Sequence, residues 1–339
     1  MRQRPARHCW PAALAGLLLA GLVVAPGLAL ADTANPDPQA RAAAVRLSGS
    51  VLRIEAVSPR GGYALGSGVM VGPDLVVTNC HVTRDSAQVS VVRGGVRWRA
   101  SAQLADVTHD LCLLQVPGVV APVVPLAEAD VLIGQPVTAL GYTGGVDLQH
   151  SFGEVVDLHR LGDGSVLQTS NGFNSGASGG GLFDREGRLM GVLTFRLRGA
   201  EQHYFAAPAQ WVRKLVVQAA SAGLQAVQPL DPALLPYWQQ QGAQQPRFLR
   251  ASVLLREQRW GDLAGLARGW LQDDALDGEP WYLLGLALLQ LDQPGAARAA
   301  MDCALRLQPQ RRAALAPPVP ATEPATARLA ATVACPGAA

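Results

Sequence analysis

Short apolar runs, separated by Gly, Asp and Pro, occupy the chain from residue 51 to residue 207. They are rich in β-branched and aliphatic residues and read VLRIEAV, GSGVMV, LVVTN, QVSVV, LCLLQV, PVTALGY, VLQTS and LMGVLTF. Regularly spaced short strands with turns between them are typical of an all-β barrel or sandwich. The period then changes, and residues 209–222 place Val212 and Leu215 on one helical face. The pattern predicts a β domain that ends near Gly223.

A second, helical pattern follows a Pro- and Gln-rich stretch and continues to about Leu307. Five pairs of its positions lie 34 residues apart, which resembles the period of the tetratricopeptide unit. The pairs are Ala251 and Gly285, Leu254 and Leu288, Trp260 and Pro294, Leu263 and Ala297, and Ala267 and Met301. Because two copies are fewer than the ~3 that usually stand alone, we expect the pair to pack on the barrel or to dimerise. A plain helical hairpin extension is the alternative.

The first 31 residues have the pattern of an export signal. An arginine-bearing start precedes an apolar run over residues 12–24, and residues 29–31 read Ala-Leu-Ala, a small-x-small cleavage pattern. We expect cleavage after Ala31 and a periplasmic or secreted protein with no further membrane span. The alternative is an uncleaved anchor, because apolar character extends from Trp10 to Ala31.

Composition and charge argue against two classes of protein, a disordered chain and a nucleic-acid-binding protein. A chain of 339 residues predicts about two domains, and 49% hydrophobic against 16% charged residues excludes a disordered main body. Removal of Arg2, Arg4 and Arg7 with the signal changes the formal net charge from +2 to −1. A nucleic-acid partner is therefore not expected, since a clustered basic surface is its first requirement.

Three motifs of the β region carry candidate chemistry: TNCHV with His81, HDLCLL with Asp110, and NSGASGGGLFD with Ser178. Acyl transfer by a serine needs a base and a carboxylate that orients the base. It also needs backbone donors for the oxyanion, and the glycines here would let the amides of Gly176 and Ser178 point into one hole. The chain order His, Asp, Ser is that of the chymotrypsin arrangement.

On these motifs, the region from about residue 51 to residue 222 resembles a trypsin-like, chymotrypsin-fold serine peptidase, and within that fold the HtrA-type members. The blocks GSGVMVGPDLVVTNCHV, HDLCLLQV, GEVV, QTSNGFNSGASGGGLFD, GVLTF and FAAP follow the order and approximate spacing of the family. The resemblance implies two six-stranded β-barrels with His81, Asp110 and Ser178 in the cleft between them. No cofactor and no metal are expected.

The predicted fold class is thus an all-β, chymotrypsin-like double β-barrel followed by a smaller α-helical, tetratricopeptide-like domain. The HtrA-type proteins usually continue into a PDZ domain, whereas this chain runs into helical repeats. The predicted segments are a signal peptide (1–31), a linker (32–44), a trypsin-like serine peptidase domain (45–223), a helical domain (224–311) and a disordered Ala- and Pro-rich tail (312–339).

Departures from the trypsin pattern bear on control and specificity. Ala177 stands where trypsin-like zymogens have an Asp directly before the serine, so that activation switch is not expected. Gly172, beside Phe173, stands where members with trypsin's specificity have an Asp. We therefore expect cleavage after small or medium apolar residues. The segment expected to pair with substrate as an added strand is Leu193, Thr194 and Phe195.

Cysteine positions suggest a bridge beside the candidate residues. Cys80 precedes His81, and Cys112 lies two residues after Asp110, so contact between His81 and Asp110 would bring the two cysteines within bridging range. We predict a disulfide between Cys80 and Cys112, with two buried free thiols as one alternative. A zinc site of both cysteines with His81 and His109 is the other, although adjacent residues on an extended chain point to opposite sides.

The remaining cysteines and histidines are assigned no catalytic role. Cys303 and Cys335 are candidates for a second bridge, and the sequence leaves that pairing open. His150, His159 and His203 are expected to be surface or strand residues.

The expected function is an exported serine endopeptidase that acts on polypeptides, with the helical repeats recruiting a substrate or a protein partner. One alternative is a catalytically idle, peptidase-fold binding protein that acts through its repeats. Another is an esterase with the same machinery, because acyl-transfer geometry does not distinguish an ester from an amide.

Overall fold

The computed structural model describes residues 38–197, 203–314 and 335–336. The predicted signal peptide and most of the predicted tail lie outside these ranges. Within them, β structure precedes a helical region, as the sequence predicts. None of the helices in the described ranges combines the length and apolar character that crossing a bilayer requires.

A helix precedes the first strand, in a segment for which the sequence predicted a linker over 32–44. The helix α1 spans Pro38–Leu47 and buries Ala43, Ala44 and Leu47. The helix overlaps the predicted linker from residue 38 to residue 44. Two alanines and one leucine give only a weak apolar face, and this face becomes recognisable only once the β core lies against it.

The first β structure begins directly after α1, and its short strands follow the apolar runs of the sequence. The strands are β1 (Val51–Val57), β2 (Tyr63–Gly72), β3 (Leu75–Thr78), β4 (Gln88–Arg93), β5 (Val96–Arg99), β6 (Ala102–Asp106) and β7 (Leu111–Gln115). The short helix α2 (Cys80–Thr83) lies between β3 and β4. All pairings are antiparallel: β1 pairs with β2 and β4, β2 with β3, β3 with β7, β4 with β5, and β6 with β7.

The second β structure is a closed six-stranded barrel in the order β10-β13-β12-β11-β8-β9. Its strands are β8 (Pro136–Thr143), β9 (Asp147–Leu161), β10 (Gly164–Thr169), β11 (Gly181–Phe183), β12 (Leu189–Leu197) and β13 (His203–Pro208). The helix α3 (Ala209–Ala222) follows, over the residues that the helical pattern predicted. It buries Trp211, Val212 and Leu215.

The first β structure differs from the six-stranded barrel that the family resemblance predicted. It is one eight-stranded sheet in the order β14-β6-β7-β3-β2-β1-β4-β5, where β14 is Gln225–Ala226. The hairpin strand β5 extends one edge, and β14, which comes after α3, pairs with β6 at the other. The extra strand β14 could not be predicted from a segment of only two residues.

Two helical hairpins form the C-terminal region. They comprise α4 (Arg247–Arg256), α5 (Trp260–Asp273), α6 (Gly278–Gln290) and α7 (Pro294–Leu307). The 34-residue spacing places Trp260 and Pro294 at the first positions of α5 and α7. At Gly285, a Cβ atom would lie 2.6 Å from Met301 Cγ and 3.2 Å from the Ala297 carbonyl oxygen, so a glycine permits the close approach of α6 and α7.

The helical region packs on the second barrel, one of the two arrangements expected from the sequence. Phe248 of α4 stacks on His159 of β9, with 4.4 Å between ring centroids and 14° between ring planes. Glu279 of α6 contacts His159 Nδ1 at 2.8 Å. Cys303 of α7 forms a disulfide with Cys335, which lies in the predicted tail, with 5.9 Å between the Cα atoms.

Candidate active site

His81 and Asp110 meet because the strands beside them pair. His81 lies in α2 just after β3, and Asp110 immediately precedes β7. The distance from His81 Nδ1 to Asp110 Oδ2 is 2.6 Å, and the backbone amide of His81 donates to Asp110 Oδ1 at 2.8 Å. The Asp110 side chain is 1% exposed and that of His81 23% exposed. Since the carboxylate accepts, Nδ1 carries a proton.

The backbone of Asp110 adopts an uncommon conformation. Its φ is +59°, in the left-handed region that costs energy for a residue other than glycine. Its carbonyl accepts from the amide of Cys80 at 3.2 Å and from Asn79 Nδ2 at 2.9 Å, and its own amide donates to the Val107 carbonyl at 3.1 Å. Three hydrogen bonds thus hold the turn that aims the carboxylate at the imidazole.

The predicted bridge beside this pair is present. Cys80 and Cys112 form a disulfide with 4.9 Å between their Cα atoms. It covalently links the two segments that carry His81 and Asp110. Sulfur atoms joined in a disulfide are not thiolate ligands, so the alternative zinc site does not assemble from these residues. His109, its fourth proposed member, instead places Nδ1 2.7 Å from an Asp106 carboxylate oxygen.

Ser178 lies in the loop that enters β11. In residues 176–180, the amides of Ala177, Gly179 and Gly180 donate to carbonyl oxygens at 2.8–3.0 Å. For the amides of Gly176 and Ser178, the described part of the chain provides no hydrogen-bond acceptor. Two free N–H groups flanking one residue are the donors that an oxyanion hole requires.

Two positions in this loop require glycine. Gly176 has a φ of +95°, and a Cβ there would lie 2.5 Å from the Tyr142 carbonyl oxygen. Gly179 has a φ of +87°, and a Cβ there would overlap the Ser67 carbonyl oxygen. Any larger residue would displace the loop from the strands behind it.

Ser67 of β2 ties the loop to both β structures, and the sequence analysis missed it. Its amide donates to the Ser178 carbonyl at 2.7 Å, and its hydroxyl donates to the Gly176 carbonyl at 2.8 Å. The same hydroxyl oxygen accepts from the Tyr142 amide at 2.8 Å. A serine between two glycines in the GSGVMV block was the available signal, although nothing local shows which loop it would contact.

Thr194 connects the nucleophile candidate with the His81–Asp110 segment. The Ser178 hydroxyl donates to the Thr194 carbonyl at 3.3 Å. Among the described residues, this is the one hydrogen bond that the hydroxyl makes. The register between β12 and β13 shifts here, so Thr194 has no paired residue in β13. Its Oγ1 accepts from Asn79 Nδ2 at 3.3 Å, and that amide also donates to the Asp110 carbonyl.

The predicted substrate-pairing segment is only partly available. The amide of Leu193 donates to the Gly180 carbonyl, and its carbonyl accepts from the Gly179 amide, each at 2.8 Å. The backbone of Leu193 is therefore already paired with the loop, and a substrate strand that paired with Leu193 would have to replace these bonds. Phe195 is buried and stacks on Phe205 with 4.5 Å between centroids.

The two predicted pocket residues lie on the same loop as Ser178 but differ in exposure. Gly172 is exposed, and a Cβ there would lie 3.5 Å from Tyr204 Oη. Phe173 is buried and packs on the Tyr204 ring at 5.0 Å. Arg196 Nη1 donates to the Phe173 carbonyl at 3.3 Å and to Asn174 Oδ1 at 2.6 Å. A guanidinium cation thus lies beside this loop.

Trp238 is a second residue of the site that the sequence analysis missed. Its indole Nε1 donates to Asp110 Oδ2 at 2.9 Å. Its ring meets His81 edge-on at 5.5 Å and stacks on Phe195 at 5.3 Å, with 9° between the planes. No local pattern could reveal this contact, because 128 residues separate Trp238 from Asp110.

The neighbouring Tyr237 is buried, and its amide donates to the Thr108 carbonyl at 3.0 Å. Burial raises the pKa of its hydroxyl well above the ordinary value, and the negative charge of Asp110 adds to the rise. The phenol therefore remains neutral and does not compete with His81 for a proton.

A second titratable cluster lies at the contact between barrel and helices. Asp157, His159 and Glu279 place one candidate metal-ligand atom each within 4.8 Å of one another. Arg311 Nη1 donates to Asp157 at 2.9 Å, and His159 Nε2 lies 2.9 Å from Gln168 Oε1. Because these side chains already have partners, one of them a cation, the arrangement favours an ion-pair network over a metal site.

Comparison with known proteins gives the context for this geometry. Residues 66–192 match the family model described as the trypsin-like peptidase domain. A serine protease of Mycobacterium tuberculosis is 30% identical over 174 residues, which cover 47% of this chain and 44% of the relative. A probable periplasmic serine endoprotease, DegP-like, of Ectopseudomonas mendocina is 36% identical over 141 residues, which cover 39% of this chain and 30% of the relative.

Solved structures give the same result for the fold. The active form of the Rv3671c protease of Mycobacterium tuberculosis has a TM-score of 0.52 at 27% identity and covers 58% of this chain and 91% of its own. The serine endoprotease of Yersinia pestis has a TM-score of 0.51 at 27% identity, with 56% and 69% covered. The chain spans less than half the length of the curated relatives described above. The β structures thus have a chymotrypsin-like fold similar to that of HtrA-type proteases, and the relatives described above are serine proteases.

Proposed function

We propose that this protein is an exported serine endopeptidase that hydrolyses peptide bonds with Ser178 as nucleophile, His81 as base and Asp110 as the carboxylate that orients the base. The 2.6 Å contact between His81 Nδ1 and Asp110 Oδ2 carries the proposal. The unpaired amides of Gly176 and Ser178 support it, because they supply the other half of an acyl-transfer site.

The proposed chemistry follows from these positions. Ser178 Oγ attacks the substrate carbonyl carbon while its proton passes to His81 Nε2, and the carbonyl oxygen becomes an oxyanion at the amides of Gly176 and Ser178. Asp110 stabilises the imidazolium that forms. The imidazolium then gives its proton to the leaving amine as the carbon–nitrogen bond breaks. Water, deprotonated by His81, attacks the acyl-enzyme and releases Ser178 and a carboxylic acid.

Thr194 has a place in this sequence of steps. The Ser178 hydroxyl donates to the Thr194 carbonyl, so it must rotate toward His81 before it can react. That rotation frees a carbonyl that has no partner in β13. We assign it to accept a backbone N–H of the substrate, which would place the scissile carbonyl beside the free amides.

The proposed specificity is for small or medium apolar residues before the scissile bond. Gly172 supplies no carboxylate to pair with a basic side chain, and Arg196 places a cation near the same loop. A Lys or Arg of the substrate would meet a like charge there and would lose its hydration without a partner.

The accessory parts of the proposal rest on sequence and on the names of relatives. The pattern of residues 1–31 and the word periplasmic in the DegP-like names support export to the periplasm or beyond the cell. The 34-residue spacing and the packing at Gly285 support tetratricopeptide-like repeats over 224–311, which would recruit a polypeptide substrate or a protein partner. The tail, 312–339, is assigned no role.

Labelling with a fluorophosphonate probe tests the catalytic proposal. We expect the wild-type chain to be labelled on one residue and Ser178→Ala to be unlabelled. Ser175→Ala is the matched control, because it makes the same change at an exposed position three residues away in the same loop. An unlabelled wild type would favour the idle, repeat-based binding protein instead. Cleavage of peptide bonds as well as esters supports the endopeptidase, whereas cleavage of esters alone would indicate an esterase.

A further inference from the structure

The segment between α3 and α4, residues 223–246, runs along the catalytic side of the first β structure. Its strand β14 pairs with β6, and the amide of Leu230 donates to the Arg84 carbonyl at 2.7 Å. Arg84 Nη2 in turn donates to the Leu234 carbonyl at 3.1 Å. The segment therefore runs from the edge of the sheet at β6 to α2 and on toward Asp110, and these bonds fix its path. We call residues 223–246 the strap.

The strap is anchored next to Asp110 by Tyr237. The Tyr237 amide donates to the Thr108 carbonyl, two residues before Asp110. Its ring is buried against Phe195, Trp211 and Phe248, with centroids 5.9, 6.1 and 6.5 Å away. Phe248 belongs to α4, so the position of Tyr237 depends on the barrel and on the helical region together. The residue that follows, Trp238, is therefore held in one place.

Trp238 completes the hydrogen bonding of the Asp110 carboxylate. Oδ1 accepts from the His81 amide, and Oδ2 accepts from both His81 Nδ1 and Trp238 Nε1. A buried carboxylate needs several donors, and each charged hydrogen bond also restricts its rotation. The indole ring lies against His81 and Phe195 and so limits movement of the imidazole on that side.

We propose that Trp238 is a positioning residue for the candidate active site: its indole N–H holds the Asp110 carboxylate in the orientation that aligns His81, and its ring forms the wall between His81 and Phe195. This inference rests on the proposed function, because it assigns Trp238 a role in the same His81–Asp110 pair. It also makes the strap part of the active site, so that the peptidase fold alone, without the strap, lacks one donor to its carboxylate.

The test uses the full chain and the second-order rate constant for reaction with a fluorophosphonate probe, which needs no knowledge of the substrate. Trp238→Phe keeps an aromatic ring beside His81 and Phe195 but removes the N–H. We expect its rate constant to fall by about tenfold, the loss that corresponds to one charged hydrogen bond. Trp98→Phe is the matched control, since it makes the same exchange in β5, and its rate constant should equal that of the wild type.

A spectroscopic measurement separates positioning from general stability. The low-field proton resonance of His81 Nδ1–H should shift in Trp238→Phe and stay in place in Trp98→Phe. Should Trp238→Phe fail to fold, hydrogen exchange of the Trp238 indole N–H in the wild type decides the matter, because a proton bonded to Asp110 exchanges slowly.

The outcomes distinguish this inference from the proposed function. A wild type that reacts at Ser178, with a Trp238→Phe variant of equal rate and unchanged resonance, would overturn the inference and leave the peptidase proposal standing. Fast exchange of the indole N–H in the wild type would also overturn it. A wild type that does not react at all removes the proposed function itself.

Discussion

Of the three histidine–carboxylate pairs among the described residues, those of His81 and His159 have nearly the same geometry and different surroundings. His81 contacts Asp110 at 2.6 Å, and His159 contacts Glu279 at 2.8 Å, each through Nδ1. In the first pair the imidazole is 23% exposed, whereas in the second it is 6% exposed. His159 Nε2 also faces Gln168 Oε1, so both of its nitrogens have acceptors.

The difference shows that a histidine–carboxylate contact does not by itself make an active site. Among the described residues, His81 Nε2 has no hydrogen-bond partner, so in the proposed mechanism it is available to take up and release a proton. His159, a residue of β9, is buried against the helices, and Phe248 of α4 stacks on its ring. The second pair therefore joins two regions of the chain, and we expect it to affect stability rather than turnover.

The largest expected effect comes from a substitution that breaks the pair of His81 and Asp110. In Asp110→Asn, the side chain keeps its shape but no longer stabilises an imidazolium, and it favours the wrong tautomer of His81. We expect the rate constant for fluorophosphonate labelling to fall by roughly 10⁴-fold. Glu279→Gln, the same exchange in the second pair, should leave the rate constant unchanged. Equal losses in the two variants would show that the distinction drawn between the pairs is false.

The next effect concerns stability and pH at the second pair. Burial opposes a charge on His159, but the carboxylates of Glu279 and Asp157 outweigh it and raise the pKa of the imidazole from 6.5 to about 9. Two acceptors, Glu279 Oε1 and Gln168 Oε1, also require an N–H on each nitrogen. Burial raises the pKa of Glu279 as well, and the positive charge of His159 opposes that rise. The pH dependence predicted below therefore considers the titration of His159 alone.

A raised histidine pKa adds stability that is complete below the unfolded value of 6.5 and is lost as the pH rises through about 9. We expect the free energy of unfolding to fall by about 3 kcal/mol between pH 6.5 and pH ~10 because of this group alone. Urea unfolding of the wild type and of His159→Gln, which does not titrate, measures the difference. Parallel pH dependence in the two proteins would contradict the assignment of a charged His159.

The smallest expected effect comes from the hydrogen bonds of Ser67, which hold the loop that carries the free amides of Gly176 and Ser178. Ser67→Ala removes the hydroxyl that bonds to the Gly176 carbonyl and to the Tyr142 amide, while the backbone bond from Ser67 to Ser178 remains. We expect about a tenfold loss in the labelling rate constant. Ser90→Ala, in β4, is the matched control. A loss of the same size in both serine variants would mean that the effect comes from general stability and not from the loop.

The sequence predicts much of this arrangement where the signal is local. Strand-like runs, the helix at 209–222 and the disulfide between Cys80 and Cys112 follow from patterns within a few residues or from the contact expected between His81 and Asp110, whereas the pairing of Cys303 with Cys335 was left open. The helix α1 and the strand β14 were missed, because an Ala-rich run and a segment of only two residues have no distinctive periodicity of their own.

The supporting residues of the site were missed for a different reason. Trp238 acts on Asp110 across 128 residues, and only the path of the strap brings them together. The place of Leu193 in an apolar strand likewise does not show that the Ser178 loop already bonds to both of its backbone groups. Burial of His159 likewise depends on where α4 and α6 pack.

A crystal structure of the full chain after reaction with a fluorophosphonate tests the central claim most directly. We expect the phosphorus on Ser178 Oγ, its phosphoryl oxygen within hydrogen-bond distance of the amides of Gly176 and Ser178, and His81 Nε2 turned toward the same oxygen atoms. An adduct on another residue, or a phosphoryl oxygen that points away from both amides while His81 stays apart, would contradict the account.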